Sequence, residues 1–247
     1  MPKKRCHIRV GTSGWHYGHW QGVLYPENLA KSRWLNFYAE HFDTVEINNT
    51  FYHLPRAGTF EKWQDQTPAG FLFTLKASRY ITHIKRLVGA EESVDLFLER
   101  AEPLQDKLGP ILFQLPPSYR KNVDSLETFL QIVAGRVQAF FEFRHKSWYD
   151  EQTWQMLDKF GAGFCVHDWQ EAATPRVVTG KLIYVRFHGS GGGRYEGRYT
   201  PSEMKDWAGW IDANRNKATH IYAYFNNDIH GYAVENARML RELLVGK

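Results

Sequence analysis

Short apolar runs of β-forming residues recur along the chain and alternate with longer stretches whose apolar positions fall three and four apart. The runs cover residues 7–10, 42–47, 71–75, 111–115, 139–143, 163–166, 182–187 and 221–225 and predict eight strands. Helical spacing predicts helices over 29–40, 59–65, 93–107, 125–133, 151–160, 201–216 and 233–245. In the first, Leu29, Trp34, Leu35, Tyr38 and Ala39 lie mostly on one face. Thr200, Pro201 and Glu203 supply an N-cap, a helix-opening proline and a capping-box acid.

A strand and a helix therefore recur roughly every 30 residues, the size of one crossover unit. Alternation of this kind builds a parallel sheet. No linker, charge block or shift in composition divides the series, so residues 1–247 read as one α/β domain. Eight units closed on themselves make a TIM (β/α)8 barrel. An open doubly wound sheet is the rival, but the first strand runs into Gly11-Thr12-Ser13-Gly14-Trp15 instead of a G-x-G-x-x-G turn.

Parallel strands are covered on both faces, so polar residues at their ends require a reason. Side chains alternate across a strand, which places Glu46 with Asn48, Glu142 with Arg144, and Arg186 with His188 on shared faces at carboxyl ends. Asn49, Lys76, Gln114, Asp168, Asn226, Asn227 and Asp228 add polar groups after other strands. In a barrel these converge on the mouth where such folds place their chemistry. The plain alternative is an internal ion-pair network, Glu142 with Arg144 or Glu46 with Arg186.

After the seventh strand comes Gly189-Ser190-Gly191-Gly192-Gly193-Arg194-Tyr195, whose glycines permit close backbone approach to an anion. Arg194 adds a bidentate donor, and phosphates often sit on this loop in such barrels. Aromatic residues, among them Trp15, Tyr17, Trp20, Phe51, Tyr52, Trp148, Tyr149 and Trp169, fall in the same loops and suit a flat ligand.

Composition narrows this picture modestly. The 31 Lys and Arg against 27 Asp and Glu give a net charge of +4, too small to decide for or against nucleic acid, while 16 Phe, 13 Tyr and 9 Trp exclude a disordered chain. Two distant cysteines, Cys6 and Cys165, imply no disulfide framework or zinc module. Without an apolar leader or a membrane-length apolar run, a cytoplasmic protein is expected. His83, His145, His167, His188 and His230 with Glu46, Glu142, Asp168 and Asp228 leave a divalent metal open, although no tight ligand motif is present and the cations in the mouth favour an anion.

Several segments then stand out together: G-T-S-G-W from Gly11, F-D-T-V-E-I-N-N-T-F-Y from Phe42, K-A-S-R-Y-I-T-H from Lys76 and L-G-P-I-L-F-Q-L-P-P from Leu108. E-F-R-H-K-S-W from Glu142, R-F-H-G from Arg186, Y-E-G-R-Y from Tyr195 and Y-F-N-N-D from Tyr224 follow in order. The whole chain resembles the YecE-like family, domain of unknown function 72. That resemblance implies a single TIM-barrel domain and no established activity. The family's likeness to xylose-isomerase-like and endonuclease IV barrels invites a nucleic-acid repair reading at the level of fold. A dense multi-zinc set of His, Asp and Glu is not matched by a mouth that mixes carboxylates with Arg, Lys and Asn.

The sequence thus leads to an enzyme, hydrolase-like, acting on a small anionic or phosphate-bearing ligand such as a nucleotide or nucleic-acid fragment. Glu46 or Glu142 is the candidate base and His188 the candidate acid. Asn48, Asn49, Lys76, Gln114, Arg144, Asp168, Arg186, Arg194, Tyr195, Asn226, Asn227, Asp228, Trp15 and Trp148 are candidates for binding. A non-catalytic nucleic-acid-binding protein is the alternative, and a glycosidase using Glu46 and Glu142 a weaker third. Oligomeric state is not legible.

Overall fold

Eight parallel strands pair in the order β1-β8-β7-β6-β5-β4-β3-β2. They are β1 (His7–Thr12), β2 (Thr44–Ile47), β3 (Leu72–Lys76), β4 (Leu108–Gln114), β5 (Ala139–Glu142), β6 (Gly163–His167), β7 (Leu182–Phe187) and β8 (His220–Phe225). The computed structural model describes residues 6–169, 173–191 and 195–246. Its helices are α1 (Trp34–His41), α2 (Asn49–Tyr52), α3 (Ala57–Asp65), α4 (Glu91–Ala101), α5 (Val123–Val133), α6 (Glu151–Lys159), α7 (Pro201–Asn214) and α8 (Tyr232–Val245). This is the single TIM-type barrel that the strand count predicts.

The sheet closes between β1 and β2 through one backbone bridge, Ser13 to Glu46. Below it a side chain completes the seam. The Thr12 N–H donates to the Tyr38 hydroxyl at 3.1 Å, and that hydroxyl donates to the Thr44 carbonyl at 3.0 Å. Gly11 allows the approach: a Cβ there would lie 2.3 Å from the Thr44 oxygen.

Two local departures from the sequence pattern have clear causes. The expected 93–107 helix ends as an α-helix at Ala101, because Pro103 lacks an N–H and crowds the preceding turn; a tighter turn follows, with Gln105 at a φ of 53°. Between β6 and β7 there is no helix among the described residues. The Thr179 hydroxyl instead accepts from the Phe164 N–H at 2.8 Å and donates to the Ala162 carbonyl at 2.9 Å.

Outward-facing Val45, Ile47, Phe73, Leu75, Phe141 and Phe143 pack against the helices in the main core. Each such burial is worth about 1.5–3 kcal/mol. Inside the barrel a second cluster joins Leu72, Leu112, Phe140, Cys165, Leu182, Tyr184, Tyr222 and Tyr224. Above its apolar floor comes a layer of hydroxyls, where Tyr224 bonds Thr44 at 2.6 Å and Thr74 at 2.7 Å. Two residues further along their strands, Thr44, Thr74, Phe140 and Tyr184 give way to Glu46, Lys76, Glu142 and Arg186. No described helix is long and apolar enough to cross a membrane.

Candidate functional site

The charged layer is organised by Arg186, which is 2% exposed. From β7 its Nε donates to Glu46 Oε2 at 2.9 Å and its Nη2 to Glu46 Oε1 at 2.8 Å, while Nη1 donates to Glu142 Oε2 at 2.7 Å. Ser13 and Tyr184 hydroxyls donate to the remaining lone pairs of Glu46 at 2.6 and 2.5 Å. Glu142 is also bonded by Arg144 and, at 3.0 Å, by the Gln114 amide. Four strands, β2, β4, β5 and β7, and the residue after β1 therefore contribute to one fixed network.

Electrostatics follow from that packing. Burial alone would raise both carboxyls, yet the Arg186 charge and its hydrogen bonds outweigh it and hold Glu46 below its ordinary value. Arg144 and Arg186 together hold Glu142 well below. Both stay ionised, and both side chains are fully buried beneath the guanidinium groups.

Over this network opens a cavity of about 620 Å³ lined by Tyr17, Asn48, Phe51, Tyr52, Lys76, His83, Gln114, Pro117, Arg144, Trp169, Arg186, Tyr195 and Asn226. Of the sequence candidates, Asn48, Lys76, Gln114, Arg144, Arg186, Tyr195 and Asn226 meet there. Arg144 is held between Glu142 and the face of Trp169, whose centroid is 4.7 Å from its guanidinium carbon. Lys76, 8% exposed, sits with Nζ 4.3 Å from the Phe51 centroid. Burial, then repulsion from Arg186, lowers its ammonium to about 8.

Glu46 and Glu142 do not line the cavity, since Arg186 and Arg144 cover them. A general base needs a free, accessible lone pair, and a glycosidase pair needs access to a glycosidic oxygen. Their present geometry serves neither task. His188 stands behind Arg144, with Nε2 3.3 Å from Nη2, and burial lowers its value so that the ring is neutral at pH 7. Burial does the same to His167, down to about 3.

Other candidates support the loops. Asp168 accepts the His188 N–H at 2.9 Å and the Tyr199 hydroxyl. Asn227 donates to the Gly197 carbonyl at 2.9 Å and to Asn236 at 3.0 Å, fixing the segment after β7. Gly189 and Gly197 serve the same segment: each has positive φ, and a Cβ on Gly189 would lie 1.8 Å from the Glu196 oxygen. Asp228 accepts from the Trp20 ring at 2.6 Å and pairs with His19. Trp148 is wholly buried, stacked on Phe143 with its N–H on the Tyr119 carbonyl; Trp15 packs edge-on against Trp63. Asn49 is exposed in α2. Arg194 lies outside the described residues.

Among the described residues no three His, Cys, Asp or Glu side chains gather where they could hold a metal ion. The nearest acidic groups are already engaged by arginines. Two participants escaped the sequence reading, Ser13 and Tyr184. The latter was findable, since Tyr184, Arg186 and His188 share one face of β7 by alternation.

Comparison with known proteins agrees with the fold. The chain is 30% identical to UPF0759 protein YunF of Bacillus subtilis over 96% of this chain and 94% of that one. It is 33% identical to UPF0759 protein YecE of Escherichia coli K12 across 59% of this chain and 53% of the relative. A crystal structure of a DUF72 family protein from Thermotoga maritima superposes with a TM-score of 0.85 at 31% identity, covering 96% and 99% of the two chains. A second, from Enterococcus faecalis, shares the fold at 22% identity with a TM-score of 0.81 over 96% and 95%. Residues 9–247 match the family model described as protein of unknown function DUF72, and the chain belongs to that family.

Proposed function

We propose that the carboxyl-terminal mouth binds a small phosphate-bearing anion, with Lys76 and Arg144 as its principal partners. The observation that carries this is the local charge count. Three cations, Lys76, Arg144 and Arg186, face two carboxylates, and the carboxylates are both spent on the arginines. Lys76 has no carboxylate within ion-pair distance among the described residues, so an incoming anion is its natural counterion. Asn48, Gln114 and Asn226 line the same cavity and can orient the ligand. Glu46 and Glu142 act as supports that hold the two guanidinium groups in place, and any hydrolytic chemistry falls to groups that line the cavity.

Calorimetric titration with inorganic phosphate and simple phosphate monoesters tests this. Saturable binding is expected, weakened about tenfold or more in Arg144→Met, which is the loss of one charge-assisted hydrogen bond of about 1.5–3 kcal/mol. No saturable binding by the wild-type protein at low salt would overturn the reading.

A specific observation favours an oligonucleotide as the source of the phosphate. Tyr52, at the end of α2, and Tyr80, after β3, are 69% and 52% exposed, and Arg79 and Arg86 after β3 are exposed too. Exposed rings among cations suit unpaired bases. Affinity for a short single strand should then fall steeply with added salt, and salt-independent affinity would exclude this source.

A further inference from the structure

Lys76 is unlike the other cations of the mouth. Arg186 and Arg144 are pinned by carboxylates, whereas the Lys76 side chain is buried, lines the cavity and has the face of Phe51 as its neighbour. Its backbone is fixed, because the Thr50 hydroxyl donates to the Lys76 carbonyl at 2.7 Å. A buried ammonium with no paired anion is costly, and a fold retains one where the amine has work to do. Lysines placed against apolar surface beside other cations are the ones that serve as nucleophiles toward carbonyl compounds.

We propose that Lys76 is a nucleophilic amine that forms an imine with an aldehyde or ketone ligand seated in the mouth. The neutral Nζ attacks the carbonyl carbon, a C–N bond forms, and the C–O π pair moves to oxygen, which takes up a proton. The nitrogen gives up one proton, its lone pair then forms the C=N bond, and the hydroxyl leaves, protonated, as water. Neutral amine, carbonyl and one proton, the one the ammonium gave up, thus yield a protonated imine and water, with no oxidant or reductant.

His83 is the proton carrier for these transfers. It lines the same cavity, its ring packs 4.9 Å from that of Phe51, and its Nδ1 is bonded to the Thr82 hydroxyl at 2.9 Å. Burial, then the charge of Lys76, lowers His83 to about 4, so it is neutral and able to accept a proton at pH 7. Burial and Arg186 likewise bring Lys76 to about 8, which leaves roughly a tenth of the amine unprotonated at pH 7. A protonated imine keeps the positive charge where the ammonium was, so this chemistry is compatible with anion binding and does not depend on it.

Reductive trapping tests the inference. The 247-residue protein is incubated with cyanoborohydride together with, in separate samples, glycolaldehyde phosphate, glyceraldehyde 3-phosphate, dihydroxyacetone phosphate, pyruvate or unphosphorylated glyceraldehyde, and adducts are mapped by peptide mass spectrometry. One adduct at Lys76 is expected with at least one probe. It should form on the order of a hundredfold faster than on an unperturbed amine such as Nα-acetyl-lysine, following the larger free-amine fraction. Lys76→Arg, which keeps the charge but cannot form an imine, should lose that adduct. Adducts confined to surface lysines with every probe overturn the proposal, and if phosphate still binds, the anion reading survives. Absence of both trapping and phosphate binding overturns both.

Discussion

Arg186 and Glu46, 140 residues apart in sequence, meet through parallel hydrogen bonds of 2.9 and 2.8 Å in the buried centre of the barrel. The same guanidinium reaches Glu142 at 2.7 Å, so one side chain neutralises carboxylates from β2 and β5. Removing it leaves buried charge uncompensated. Arg186→Met is expected to cost about 3–5 kcal/mol in urea unfolding. A loss below about 1 kcal/mol, the range of exposed pairs, would contradict the network described.

Acid should dismantle this network. The folded-state carboxyls of Glu46 and Glu142 lie below their unfolded values, so the stability they add is complete above the ordinary carboxylate range and is lost as pH falls through it toward the folded values. Thermal melting followed from about pH 6 down to pH 2 should show a falling midpoint. Glu142→Gln should flatten that fall, and an unchanged slope would remove Glu142 as a contributor.

Lys76 shares that slope in a higher pH window, but its contribution is a penalty. Burial depresses its folded value to about 8, so between that value and the unfolded lysine value the folded chain binds fewer protons, and stability rises with pH. Below that window the buried cation opposes folding. Lys76→Met should therefore stabilise the protein at pH 7 by about 1–3 kcal/mol, with the gain shrinking as pH rises above about 8 and gone near the unfolded lysine value. Destabilisation at pH 7 would show that the ammonium is better compensated than the geometry indicates.

The β1–β2 seam depends on one phenol. Tyr38→Phe removes the acceptor of the Thr12 amide and the donor to the Thr44 carbonyl. The expected cost is about 1–3 kcal/mol, the range for leaving buried polar groups unpaired. Hydrogen exchange at Thr12 should accelerate well beyond that of Ala223 in β8, and equal protection of the two amides would refute the role.

Much of the barrel was readable because buried parallel strands leave short, continuous apolar runs and their side chains alternate. Period two alone put Glu46 with Asn48, Glu142 with Arg144 and Arg186 with His188 on inward faces. It could not show that Arg186 crosses the barrel to both acids, since that contact depends on closure and strand stagger. Nor could position after a strand separate Lys76, which enters the cavity, from Trp148 and Asn227. In those loops the chain turns back, stacking Trp148 under Phe143 and tying Asn227 to Gly197 and Asn236. The short seam at β1 and β2 was hidden for a similar reason, because Tyr38 belongs to a helix whose apolar face gives no sign that its hydroxyl serves the sheet.

The apolar floor formed by Leu72, Leu112, Phe140, Leu182 and Tyr222 closes the barrel beneath the cavity among the described residues. A molecule that reaches Lys76 and Arg144 then enters and leaves at the mouth, whose cavity Tyr52, Trp169 and Tyr195 help to line. Arrival and departure are then governed by one doorway. A change at the rim that touches only passage alters both rates by the same factor and leaves the equilibrium constant where it was, whereas a change at the charged layer moves the equilibrium itself.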